Sequence, residues 1–213
     1  MRFFLFLALI TCSLSCKPDT VASEKPSATD KEVDDQRPAF YVLPFRGEPD
    51  KSIQYKGTYK KGLRWMDKLG ENVLFISAKE TKESVEFWIE HFLKNEKEQW
   101  ERYYQFYERM DDCELVWTLE PIEEALTVSD LNKDGYGEFT FLYQKDCIEE
   151  LAPLPTFLYL VENKKEYLTE GSTSVLLENG EKLGGAFEVP AELSEHSVEQ
   201  AQYVDVLWRR FVR

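Results

Sequence analysis

Asp130-Leu131-Asn132-Lys133-Asp134-Gly135-Tyr136-Gly137-Glu138 runs without a break into Phe139-Thr140-Phe141-Leu142-Tyr143, and the way the second stretch continues the first decides the fold. Counting Asp130 as position one, side-chain oxygens fall at one, three, five and nine through Asp130, Asn132, Asp134 and Glu138. The Tyr136 carbonyl can serve at seven, and Gly135 at six permits the sharp turn that points these oxygens inward. A helix-loop-helix calcium sensor would carry a bidentate Glu at position twelve and leave the loop as a helix. Here position twelve is Phe141, and Phe139, Phe141 and Tyr143 recur with the period of a strand. The loop is expected to feed a β-strand and not to open a pair of helices.

Oxygen ligands from three carboxylates suit a hard divalent cation. Calcium is favoured over magnesium because a flexible loop tolerates long bonds and six or seven ligands, where magnesium demands a tight octahedron. The expected site is thus a structural calcium held by Asp130, Asn132, Asp134, Tyr136 and Glu138. The plainer reading of the same residues is an Asp/Asn/Gly-rich turn that holds no ion. In its spacing and exit strand the loop resembles the short calcium loops of extracellular β-rich proteins, such as FG-GAP-type propeller blades.

Working outward from the loop, short alternating runs dominate. Ile53 to Tyr59 alternates, and Leu63 to Met66, the turn Asp67 to Asn72 and Val73 to Ile76 read as strand, turn, strand. Val85, Phe87 and Ile89 alternate too. Trp88, Phe92 and Leu93, then Trp100, Tyr103, Tyr104 and Tyr107, also fit helical spacing, but the turn-like Lys94-Asn95-Glu96-Lys97 favours a long hairpin. Further strands are expected at Leu115–Leu119, Ala125–Val128, Glu138–Gln144, Thr156–Val161, Glu166–Thr169 and Ser174–Leu177, with tight turns at Asn179-Gly180 and Gly184-Gly185. Near the end the period changes. Val198, Ala201, Val204, Leu207, Trp208 and Phe211 share one face at 3.6-residue spacing, and Ser194 or Ser197 can cap the start. The fold class is therefore mainly β (α+β): antiparallel sheets or a meander, covered by one C-terminal amphipathic helix. No internal repeat is visible.

The N-terminus gives an address. Arg2 precedes the apolar run Phe3 to Ile10, and Ser13-Leu14-Ser15 leads into Cys16. This build is that of a secretory signal, too short to span a bilayer as a mature helix. It resembles a bacterial lipoprotein signal in which Cys16 becomes the lipidated first residue, although Ser13 stands where Leu is usual. Residues 1–15 are read as the signal and residues 16–38 as a polar tether unable to bury enough apolar surface to order itself. Residues 39–213 are read as a single β-rich domain. The expected location is the bacterial cell envelope, facing periplasm or cell surface, with the membrane as a partner through lipid on Cys16.

The chain carries a net charge of −14 over 213 residues, with 40 acidic side chains. That argues against nucleic acid or anionic lipid as a partner and accords with divalent cations. With Cys12 in the signal and Cys16 lipidated, Cys113 and Cys147 are left as an even pair in an exported domain, expected as a disulfide that encloses the whole ion loop. The alternative is two buried thiols.

A wider run suggests a family. Trp65-Met66-Asp67-Lys68-Leu69-Gly70-Glu71-Asn72, then Asp112-Cys113, then Leu126 to Glu138, then Val206-Leu207-Trp208 occur in the order seen in a group of exported bacterial proteins labelled surface polysaccharide biosynthesis, which this chain resembles over about residues 60–212. Glu149-Glu150-Leu151-Ala152-Pro153 follows the group loosely, and Tyr167-Leu168-Thr169-Glu170-Gly171 lacks the basic residue usual before the glycine. The resemblance implies an envelope role and no defined reaction.

Enzyme constellations are sparse. The histidines are His91 and His196, neither beside a nucleophile motif, and no phosphate-cradling glycine loop occurs. Carboxylate pairs such as Glu123 and Glu124, or Glu149 and Glu150, could serve glycoside hydrolysis, but in so acidic a chain they read as solvated surface. The aromatic hairpin of Trp88, Trp100, Tyr103, Tyr104 and Tyr107 could stack sugars, though sheet cores are commonly aromatic. The expectation is a non-enzymatic binding or assembly component with an envelope protein or glycan as partner. The alternative is an envelope enzyme acting on glycans.

Overall fold

The computed structural model describes residues 40–148 and 152–212. The signal, Cys16, the tether and the pair Glu149 and Glu150 lie outside the described residues. The described part is mainly β with antiparallel sheets, as the alternation requires.

The first sheet is a meander of β1 (Tyr41–Leu43), β2 (Thr58–Asp67), β3 (Gly70–Glu80), β4 (Ser84–Lys94) and β5 (Trp100–Asp111), each paired with its sequence neighbour. Both expected hairpins form. The β2–β3 turn closes on the pair Asp67 and Gly70, where Gly70 takes φ +111°, a conformation that costs a glycine little. The β4–β5 turn is held by the Asn95 side chain, whose oxygen accepts the Lys97 and Gln99 N–H groups. Residues 53–57 correct the sequence reading: the strand begins only at Thr58. Gly57 adopts φ +71°, and a Cβ there would lie 2.6 Å from the Ala78 carbonyl oxygen, so the chain turns across the sheet instead of joining it. Ile53 and Tyr55 then cover Val73, Phe75 and Phe92 on the outer face of that sheet.

The second sheet orders β13 (Phe187–Glu188), β10 (Lys165–Ser172), β9 (Pro155–Glu162), β8 (Glu138–Ile148) and β6 (Val116–Pro121), and β7 (Thr127–Ser129) also pairs with β8. A 3-10 turn at Glu123–Ala125 separates β6 from β7. A small ribbon joins β11 (Ser174–Leu176) and β12 (Lys182–Gly184) around the Asn179-Gly180 turn. The two large sheets face one another. Trp65, Leu74, Ile76, Phe87, Ile89 and Tyr104 from the first meet Phe139, Phe141, Tyr143 and Val161 from the second. Fully burying each such side chain contributes roughly 1.5–3 kcal/mol. Phe141 stacks on Tyr159 at 4.8 Å and 5°, which explains why position twelve of the loop is apolar: it belongs to the core between the sheets.

The other face of the second sheet is covered by helices. A short α1 (Ala191–His196) precedes α2 (Val198–Phe211), so the C-terminus is a helix pair where the period predicts one helix. Ser197 caps α2 by accepting the Gln200 N–H at 3.2 Å. Val204, Leu207 and Trp208 pack on Leu142, Leu158, Leu160 and Tyr167. The predicted apolar face is shifted at its start: Val198 is 57% exposed, whereas Gln200 is fully buried. Among the described residues no helix is long and apolar enough to cross a membrane.

Cys113 and Cys147 form a disulfide. Cys113 follows β5 of one sheet and Cys147 lies on β8 of the other, so the bond ties the two sheets at the crossover.

Candidate functional site

The loop between β7 and β8 leaves the end of the second sheet and is shaped by its own side chains. Asp130 Oδ2 accepts the Gly135 N–H at 3.1 Å, Asn132 Oδ1 accepts the Asp134 N–H at 3.1 Å, and Asp134 Oδ1 accepts the Tyr136 N–H at 2.8 Å. Glu138 Oε2 accepts the Leu131 N–H at 3.1 Å and closes the loop on itself. Asn132 and Asp134 thus each hold the backbone donor two residues on, as Asx turns do, and Asp130 reaches across the loop to the donor five residues on. Gly135 takes φ +85°, as the turn at position six requires.

The hairpin tip of β2–β3 grips this loop from the first sheet. Asp67 Oδ2 accepts both the Trp65 indole N–H at 2.8 Å and the Gly137 N–H at 3.0 Å, while Asp67 Oδ1 accepts the Leu69 N–H. The Lys68 N–H donates to the Gly135 carbonyl at 2.9 Å, the Lys68 ammonium reaches the Asp134 carbonyl, and it lies 5.3 Å from the Tyr136 ring centroid. A Cβ at Gly137 would fall 2.4 Å from Trp65 Nε1, so only glycine allows the approach. The turn and the loop, separate in sequence, are one structure.

Two further elements reach the loop that its own sequence does not announce. Glu162 at the end of β9 is buried and accepts the Asn132 amide at 2.6 Å and bonds His196 Nε2 at 2.6 Å. Gln200 of α2, fully buried, donates its amide to Glu138 Oε1 at 2.9 Å and Glu162 Oε1 at 3.2 Å. Burial pushes the Glu138 carboxyl above its usual range against the hydrogen bonds from Gln200 and Leu131, and the neighbouring Glu162 charge adds to the rise. A cavity of about 370 Å³ opens beside the loop, lined by Asn132, Lys133, His196 and Glu199.

All five sequence-predicted ligands therefore lie in this loop. Asp130 Oδ1 is buried without a hydrogen-bond partner, and the donors are oxygens of the kind a hard cation takes. The Asn132 amide nitrogen faces Asp134 and Glu162, and among the described residues no three acidic, imidazole or thiol groups converge into a ready metal cage. The oxygens are of the type calcium takes, but they do not converge in this structure, where Asn132 is turned nitrogen-first toward the acids.

The remaining candidates separate clearly. His91 is buried between Trp65, Tyr103 and Phe139. Its Nε2 lies 2.8 Å from Asn72 Oδ1, and because the Asn72 amide donates to the Gly70 carbonyl, Nε2–H is the donor. Burial, with Lys164 nearby, lowers the imidazole to about 3. It is a neutral core group. In the aromatic hairpin Trp88 and Tyr104 are buried and Tyr107 is exposed, with Trp88 stacked on Tyr107 at 5.4 Å. An open cleft of about 610 Å³ lies between the ends of β2 and β3 and the edge strand β6, lined by Thr58, Lys60, Lys79, Trp117 and Glu120. Comparison with family models, curated proteins and solved structures found no significant match to this chain.

Proposed function

We propose that this chain is a lipid-anchored component of the bacterial cell envelope whose β-rich domain is fastened by one structural calcium ion and acts by binding or assembly, without catalysis, in the handling of surface polysaccharide. The loop carries the reading. Asp130, Asn132, Asp134 and Glu138 would supply side-chain oxygens and Tyr136 its carbonyl, and the buried, unpartnered Asp130 Oδ1 supports a cation there. The signal-like N-terminus ending at Cys16 supports the anchor, and the disulfide accords with an oxidising compartment. The polysaccharide link rests on the family resemblance of the Trp65–Asn72 and Leu126–Glu138 segments, which the Asp67–Gly137 contact brings together.

Thermal unfolding of the full chain tests the ion. Chelation lowers the melting temperature, and calcium restores it better than magnesium at equal concentration. At about 100 times the dissociation constant the ion adds roughly 2.7 kcal/mol. A melt in Asp134→Ala that still responds to calcium as the parent does would overturn the loop as the site. For the anchor, Cys16→Ala abolishes incorporation of labelled fatty acid in cells. Incubation with oligosaccharides from the envelope distinguishes stoichiometric binding from product release, and turnover would overturn the non-enzymatic role.

A further inference from the structure

We propose that the ion site is not confined to its loop: Glu162 of β9 and Gln200 of α2 complete it, so that one cation joins the loop, the second sheet and the C-terminal helix. This rests on the reading of the loop as a calcium site and extends its ligand set to two elements distant in sequence.

The sheet register carries the first half. Phe139 pairs with Val161 across β8 and β9, so Glu138 and Glu162 are the next residues outward on adjacent antiparallel strands and face the same side. Both are buried, at 1% and 6% exposure. Like charges placed opposite one another on adjacent strands destabilise a sheet, and burial strengthens their repulsion. A divalent cation between them turns that repulsion into attraction. Glu162 also stands in for what the loop lacks, since position twelve is given over to Phe141 in the core and cannot supply the closing carboxylate.

Gln200 carries the second half. It lies on the buried face of a helix where apolar residues are expected, and its amide nitrogen sits between Glu138 and Glu162. Its carbonyl oxygen is buried with no hydrogen-bond partner. A buried amide with one end unpaired is costly, and a half-turn about its last bond exchanges the two ends. With a cation among the carboxylates, that rotation delivers the Gln200 oxygen to the ion, and the same rotation at Asn132 delivers Oδ1 in place of the nitrogen that now faces Glu162, at the cost of the Asp134 N–H bond that Oδ1 accepts. The amides hold the acids together without the ion and become ligands with it.

Calcium titration calorimetry on the full chain and on Glu162→Gln, Gln200→Leu and His196→Gln tests this, together with hydrogen exchange in the Ala201–Phe211 segment with calcium or chelator. Glu162→Gln weakens calcium binding by about 10-fold or more, because affinity in oxygen-ligand sites follows ligand charge. Gln200→Leu weakens it less, and His196→Gln by under about 3-fold, since among the site's residues the imidazole bonds only Glu162. Calcium slows exchange along α2 in the parent and not in Glu162→Gln. Parent-like affinity in both Glu162→Gln and Gln200→Leu would confine the site to the loop and overturn this inference while the calcium reading stands. Absence of calcium binding by the parent would overturn both. Should Glu162→Gln not fold, exchange in the parent decides alone: α2 protection indifferent to calcium overturns the link.

Discussion

The Asp67 carboxylate accepts the Gly137 N–H at 3.0 Å, joining the hairpin tip of one sheet to the loop of the other across seventy residues of sequence. The same carboxylate holds the Trp65 indole N–H and the Leu69 N–H. Trp65 is fully buried between the sheets, so this one side chain fixes the loop, the turn and a core tryptophan together.

Asp67→Ala leaves three donors without their acceptor, the Trp65 indole N–H buried and the Leu69 and Gly137 N–H groups partly so. Each such loss costs about 1–3 kcal/mol, so the variant is expected to lose roughly 3 kcal/mol in urea unfolding. Asp67→Asn, which keeps one acceptor oxygen, is expected to lose less. Equal stability of Asp67→Ala and the parent would show that the clamp contributes nothing.

Gly137→Ala tests the closeness of the loop to the core. The added methyl would meet the Trp65 indole at 2.4 Å, and neither the buried ring nor the hydrogen-bonded loop has room to yield. A loss of about 1–3 kcal/mol is expected, the usual cost of overpacking, with a change in tryptophan fluorescence as the ring shifts. A melt and emission spectrum identical to the parent would contradict it.

His91 makes the fold acid-sensitive. Unfolded, the imidazole takes a proton near 6.5; folded, burial holds it neutral down to about 3. The unfolded state therefore binds more protons in that interval. The contribution is fully present above about pH 6.5 and is lost at roughly 1.4 kcal/mol per pH unit as the pH falls toward 3. His91→Gln, which can still donate to Asn72, is expected to show a shallower fall of stability between about pH 6 and 4 in urea titrations. A slope equal to the parent's would place the acid sensitivity elsewhere.

Replacing Cys113 and Cys147 together by Ser frees a loop that closes over 34 residues of separation. On the chain-entropy account the loss is roughly 3–4 kcal/mol. Because the bond joins β5's exit to β8, the variant is expected to open first between the two sheets, seen as faster hydrogen exchange in β6. Unaltered denaturation midpoints with and without reductant would exclude a stabilising disulfide.

Local patterns were enough for most of the β structure. Alternation marks β4, β8 and β9; Asn95 and Asn179-Gly180 mark turns; and an even cysteine pair behind a signal-like N-terminus marks the disulfide. Where the sequence misleads, a tertiary contact is responsible. Ile53 to Tyr59 alternates like a strand because Ile53 and Tyr55 face the sheet they cover, yet the close approach of Gly57 to Ala78 carries the chain across that sheet. Val198 has helical phase but sits at the open end of α2, while polar Gln200 takes the buried place because carboxylates await it.

The sequence by itself determined the class of fold, the hairpins and the Asp/Asn/Gly turn of the loop, because these depend on the period of side chains along the strand and on turn residues acting over a few positions. Only the tertiary structure decided what the loop is joined to. Asp67, Glu162 and Gln200 reach it from three other elements, and His196 of a fourth holds Glu162. Their positions follow from strand register and helix packing, which bring distant residues within bonding distance and leave no periodic trace in the chain.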